Sequence, residues 1–256
     1  MKKVVVFTAL CALFAGTLSA FETTKTLDLN AQGIRRLDIR SGAGSLTVTG
    51  REGLATIEVK AEVVAPHVRD KDIERYLRDT VELTLEKRDD VAVLVSRIRE
   101  ESRIFHFGDD ARIDLTVMVP KALAVDIDDG SGGIVVKDLA AALRIEDGSG
   151  SIDVRRIAGQ VVIDDASGEV VVENVEGDLE IDDGSGGIEV SDVTGNVSVD
   201  DGSGEIVIRR IGGTVTVDDG SGGIDIDDVG KDIRLINTGS GDVRISGEKG
   251  RVIRAN

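Results

Sequence analysis

Tryptophan is absent from this chain of 256 residues, tyrosine occurs once, and no aromatic residue follows Phe107. That argues against a carbohydrate-binding groove, where sugar rings stack on aromatic faces. The single cysteine, Cys11, provides no disulfide framework. Basic residues are in deficit, 31 against 48 acids, giving a formal net charge of −17. Nucleic acid and anionic membrane surfaces both need basic patches, so this balance speaks against either as a partner and favours attraction of divalent cations. The phosphate-loop pattern G-x-x-x-x-G-K-[ST] is missing, and His67 and His106 are the only histidines. His106, in Ile104-Phe105-His106-Phe107-Gly108-Asp109-Asp110, reads as a surface or packing residue before it reads as a metal ligand.

Residues 1–20 read as a signal peptide. Lys2 and Lys3 form the basic start, Val4 to Leu18 the apolar stretch, and Ser19-Ala20 the cleavage point. The stretch is short for a membrane span and no stop-transfer pattern follows, so no transmembrane span is expected after its removal. Cleavage takes away two lysines, no acid and the only cysteine, which moves the net charge to −19. The expected location is periplasmic or extracellular. The remaining chain, about 236 residues, is long enough for a substantial core without disulfides.

What the sequence has in abundance is repetition. The Ser of a DDGSG-like motif falls at Ser131, Ser149, Ser167, Ser185, Ser203 and Ser221, each 18 residues apart, and Ser240 follows after a one-residue insertion around Ile236–Thr238. A fixed short period marks a solenoid, in which each repeat covers its apolar face with its neighbour. Aligned on that Ser, five columns are always aliphatic. Ile152, Val154, Ile157, Val161 and Ile163 represent them in one repeat. Two short strands per coil, each with two inward residues, plus one inward residue at the bend, account for all five. Gly159, Gly177, Gly195 and Gly213 mark the second turn, where glycine reaches positive φ readily. Gly-Ser-Gly repeated this often is scaffold, not the G-x-S-x-G elbow of hydrolases.

The expected fold is all-β, a β-solenoid with 18-residue coils and a small α+β insert near the N-terminal end. Residues 21–65 hold the first solenoid strands, with Leu37, Ile39, Leu46 and Val48 alternating about a Gly/Ser turn. Residues 66–110 form the insert: a short helix within Asp70–Arg78, then a hairpin turning at Arg88-Asp89-Asp90, reading as a cap over one end. Residues 111–256 carry the regular repeats, with only a thin cover for the last coil from Gly247 onward, which raises the expectation of end-to-end self-association.

Pro120 ahead of the repeats, the alternating I-x-V pairs and the Gly-Ser-Gly turns, above all Thr238-Gly239-Ser240-Gly241-Asp242-Val243, resemble a family of bacterial envelope proteins with a repeated-strand domain, labelled putative adhesins of unknown function. The resemblance runs from about residue 33 to 246. It implies a β-helix-like fold and no established catalytic activity. The acidic pair before each turn departs from the family pattern, where Thr or Asn often stands.

That pair forms two columns. One holds Asp128, Glu146, Asp164, Asp182, Asp200 and Asp218; the other holds Asp129, Asp147, Asp165, Asp183, Asp201 and Asp219, with Asn237 at its end. Stacked at strand spacing, like charges lie about 5 Å apart, worth ~3 kcal/mol per pair at an effective dielectric of 20. The bland reading gives the second Asp an Asx-turn with its own Gly-Ser backbone and leaves the first facing water. The sharper reading makes the second column a calcium ladder, since carboxylates suit a hard cation. Arg155-Arg156 and Arg209-Arg210 are expected to pair with acids such as Asp138, Glu173, Asp192 and Asp228. The composite reading is a non-enzymatic structural or adhesin-like protein of the bacterial envelope, without a cofactor, contacting an envelope or surface protein or polysaccharide. A calcium-binding solenoid module and an envelope polysaccharide hydrolase or lyase stand as the alternatives.

Overall fold

A computed structural model describes residues 21–66, 68, 73–99 and 111–255. The signal-peptide reading, His67, His106 and the end of the insert lie outside the described residues. Period-two alternation in the repeats resolves into two eleven-stranded sheets packed face to face. Each regular coil gives an eight-residue strand to one sheet, such as Gly150–Ile157, and a five-residue strand to the other, such as Val161–Asp165. Neighbouring coils pair parallel and in register at an offset of 18, Ile152 with Val170 and Ile163 with Ile181. All five aliphatic columns are buried from Ile134 to Leu235. Branched side chains at every inward position stack rung on rung, which is why Val and Ile dominate.

The inward sequence Ile152, Val154, Ile157 breaks strict alternation, and one residue absorbs the break. Asp138, Arg156, Asn174, Asp192, Arg210 and Asp228 all hold left-handed backbone, φ 54 to 64. They drop out of the pairing register and reset the parity, so both Val154 and Ile157 reach the core. Asp and Asn tolerate this conformation; Arg is less usual there. The arginines are anchored: Arg156 donates to Asp138 at 2.6 and 3.2 Å, and Arg210 to Asp192 at 2.7 and 2.6 Å, each one coil back. Arg155 pairs with Asp153 at 2.7 Å and with the expected Glu173 at 3.8 Å, Arg209 with Glu189 at 3.4 Å, while Asp228 takes Lys249 at 3.2 Å. Positive φ at Gly159, Gly177, Gly195 and Gly213 was expected and is not what glycine provides there. A Cβ at these positions would lie 2.2 to 2.5 Å from the backbone of the preceding coil, so close stacking is the constraint.

The N-terminal end is built out of order. The strands Arg36–Ala43 and Leu46–Arg51 form one coil. The hairpin strands Val81–Arg88 and Val91–Ile98 turn at Asp89, and the second pairs parallel with Arg36–Ala43. Arg112–Pro120 likewise pairs parallel with Leu46–Arg51. The chain then crosses over, and Ala124–Ser131 with Ile134–Leu139 takes the opposite edge of that same coil. Phe21–Asn30 and Thr56–Ala65 extend the first sheet antiparallel, and the helix Ile73–Asp79 packs Tyr76 with Ala65 and Val68 beside them. At this end the insert adds its hairpin to one sheet, while Phe21–Asn30, Thr56–Ala65 and Arg112–Pro120 extend the other.

Ile163, 1% exposed at mid-rod, is packed between rungs that leave no room to collapse. Ile163→Ala is expected to cost about 2–5 kcal/mol, read from equilibrium denaturation in urea.

Candidate functional site

Parity along the short strands determines where the acidic pair points. In Leu143–Asp147, Leu143, Ile145 and Asp147 face inward while Arg144 and Glu146 face water. The second Asp of every pair is consequently a core residue: Asp129, Asp147, Asp165, Asp183, Asp201 and Asp219 are between 0% and 6% exposed. They lie in register, rung on rung. Ser41 and Ser96 continue the column at the N-terminal end, and Thr238 at the other, giving nine consecutive polar rungs, of which the six aspartates and Ser96 are buried and Ser41 and Thr238 half-buried.

The Asx-turn reading covers half of this chemistry. Oδ1 of Asp165, Asp183 and Asp201 accepts the N–H of Ser167, Ser185 and Ser203 at 3.2, 3.1 and 3.0 Å. Their Oδ2 atoms are buried without a hydrogen-bond partner. Asp129, Asp147 and Asp219 face Ser41, Ser149 and Ser221 without closing a full hydrogen bond. Asn237 does not end this column. The inserted residue shifts the register, so Asn237 stands beside Asp218 and Thr238 beside Asp219. Asn237 still makes the turn, accepting from Gly239 N–H at 3.2 Å, while Ile236 is pushed out to 53% exposure.

The Gly that follows each turn Ser closes the column. A Cβ on Gly168 would sit 1.5 Å from the Gly150 carbonyl oxygen and 3.3 Å from Asp165 Oδ2. Only bare backbone fits between successive turns at this spacing, and φ of 155 at Gly168 is also glycine territory.

Burial governs the electrostatics. Desolvation pushes the Asp147 and Asp183 carboxyls up from 3.8 to about 6; neighbouring inner aspartates add to the rise in both, and the Ser185 N–H opposes it at Asp183. Asp129, Asp165, Asp201 and Asp219 shift the same way, again chiefly through burial. An unpaired buried hydroxyl costs on the order of 1–3 kcal/mol, whereas an unpaired buried carboxylate costs several times more.

The outer column behaves differently. Asp128, Glu146, Asp164, Asp182 and Asp200 are exposed and Asp218 is half-buried. Glu146 pairs with Arg144 at 2.7 Å; the other five make no salt bridge among the described residues. Burial and the charges of Asp218 and Asp182 raise the carboxyl of Asp200. The result is a line of carboxylates along one face, in which Glu146 alone is paired in a salt bridge.

Along the corner of the left-handed residues runs an open groove of about 740 Å³ floored by Leu139, Ile157, Val175 and Val193. Its rim arginines Arg156 and Arg210 are already paired. Among the described residues, no group of three or more His, Cys, Asp or Glu is disposed to hold a metal ion, and no helix is long and apolar enough to cross a membrane.

Comparison with solved structures finds matches at low identity. A putative adhesin from Bacteroides fragilis is 14% identical, with a TM-score of 0.48, over 91% of this chain and 97% of that one. A putative lipid binding protein from Parabacteroides distasonis is 13% identical at a TM-score of 0.48, over 90% and 96%. A putative adhesin from Parabacteroides merdae is 13% identical at 0.34, over 92% and 96%. No curated protein matches. Residues 34–253, nearly the whole solenoid with its cap, match the model of Toastrack DUF4097, and the chain belongs to that family.

Proposed function

We propose that this chain is an exported, non-enzymatic β-solenoid with a structural or adhesin-like role in the bacterial cell envelope, where it holds a rigid acidic face against a surface protein or polysaccharide. The observation that carries this reading is the outer column: five carboxylates in register on a stiff sheet, with no counter-charge of their own. A face already ordered by its own stacking loses little conformational freedom on contact, and its charge speeds encounter with basic partners.

The test is attachment of the purified protein to arrays of glycans and basic proteins at low and high salt. Binding is expected to fall with salt and to drop about tenfold or more in the triple variant Asp164→Asn, Asp182→Asn, Asp200→Asn, with Tm unchanged or higher. Binding indifferent to both would sink the acidic-face reading. Release of sugar fragments from an arrayed polysaccharide would instead support the hydrolase or lyase alternative.

The calcium alternative attaches to the inner column, where the unpartnered oxygens favour it and the supply of one carboxylate per coil counts against it. A specific site would raise the melting temperature in millimolar Ca²⁺ over EDTA, by the equivalent of ~2.7 kcal/mol at 100 times Kd, with no such rise in Mg²⁺.

A further inference from the structure

Something must neutralise the inner column. Six carboxylates on consecutive rungs, about 4.8 Å apart, are enclosed by Val and Ile side chains and by stacked glycine backbone. Three kinds of group can balance them: a basic side chain, a metal ion or a proton.

Basic side chains are on the wrong side. Arg36, Arg40, Arg144 and Arg234, all on strands of this sheet, stand on its outer face. The titratable neighbours that do reach the column are acids. They are the outer carboxylates Asp128, Asp164, Asp182, Asp200 and Asp218 on the same strands, together with the inner aspartates above and below. From the turn side the column meets only glycine and serine backbone, with Cβ space at Gly168 and Gly204 just 3.3 Å from Asp165 and Asp201 Oδ2. Every charge facing the column is therefore of its own sign.

A divalent cation fits poorly for a geometric reason. Calcium takes six to eight oxygens, and each coil supplies one carboxylate, of which one oxygen is already turned to a serine N–H in Asp165, Asp183 and Asp201. The flanking inward residues are aliphatic, and the hydroxyls of Ser41 and Ser96 at one end are themselves without partners.

We propose that the inner column is a proton store: at neutral pH part of its six aspartates is held as neutral carboxylic acid, in a line along the axis of the rod. The remaining orphaned oxygens then face a neighbour that can carry a proton instead of a second charge. Asp147 and Asp183, where burial acts first and the charges of the inner aspartates above and below add to it, are raised to about 6. The protein binds protons inside, one residue along the chain from carboxylates that stand on the outer face.

The experiment is a ¹³C NMR titration of the aspartate carboxyls in the purified protein, repeated in EDTA and in millimolar Ca²⁺, and in the variants Asp147→Asn and Asp183→Asn. Transitions near pH 6 that disappear with those substitutions, and that are unmoved by Ca²⁺, are the expected result. The proposal is overturned if every aspartate ionises near pH 4. It is equally overturned if Ca²⁺ abolishes the high transitions and raises Tm, which would make the column a cation site. Should a variant fail to fold, the titration of the unsubstituted protein and its Ca²⁺ dependence decide alone.

Discussion

Gly186→Ala is expected to break the solenoid at its middle. A Cβ there would lie 1.5 Å from the Gly168 carbonyl oxygen and 2.7 Å from its carbon, and the residue's φ is 152. The obstruction is backbone, itself fixed in register by coils on both sides, so no side-chain movement relieves it. A loss above about 4 kcal/mol follows, placing the substitution among the exceptional ones. Gly187→Ala, the next residue in the same turn, provides the control, because nothing lies within 4 Å of its Cβ. Circular dichroism melts of the two variants should diverge sharply. Similar Tm values would mean that the turns do not stack at backbone contact.

The second large effect is an unusual dependence of stability on pH. Asp147 and Asp183 hold their protons up to about pH 6 in the folded chain, against an ordinary 3.8. Between those values the folded state binds more protons than the unfolded one, so stability falls as pH rises. The contribution is fully present below the ordinary value and is lost above the raised one. A tenfold gain in proton affinity is worth ~1.4 kcal/mol, so each such group accounts for up to ~3 kcal/mol. Neighbouring rungs titrate together, which spreads the transition without changing its sign. Six acids are displaced in the opposite direction, Glu82, Asp90, Asp114, Asp138, Asp192 and Asp232, each beside an arginine; their contribution is lost only as pH falls below the ordinary carboxylate range. Tm should therefore peak near pH 4 and decline toward neutrality, the reverse of the usual acid sensitivity. A plateau from pH 4 to 8 in scanning calorimetry would contradict this assignment. Asp183→Asn keeps the turn acceptor and removes the charge, so it should raise Tm at pH 7 and flatten the curve.

How much of this was legible beforehand depended on parity. The 18-residue period identifies the solenoid because identical residues must occupy identical environments in every coil, and the five aliphatic columns follow directly. The same alternation, carried one residue past Ile145, Ile163 and Ile181, also points Asp147, Asp165 and Asp183 inward. Asp-Gly reads so strongly as a water-facing turn that composition masks the geometry. Asn237 misleads for a related reason: its Asx-turn is real, but an inserted residue moves it outward by one place. The left-handed residue at the corner was hidden because Asp, Asn and Arg share that column without any glycine to announce it. The crossover at residues 120–124 has no local signature. It depends on which edge of the coil 36–51 each later strand finds, a matter of long-range pairing.

That crossover divides the assembly of the rod into two regimes. The coil 36–51 is covered on one side by Val91–Ile98 and Arg112–Pro120 and on the other by Ala124–Ser131 and Ile134–Leu139, so its two edges are not both satisfied until the chain is available as far as residue 139. Distant pairings of this kind are slow because loop closure must precede any reward. Beyond that point each new coil needs only the eighteen residues before it and a template already in place. The barrier to forming the rod thus belongs to its cap, and the repeats extend from it as a crystal grows from a seed.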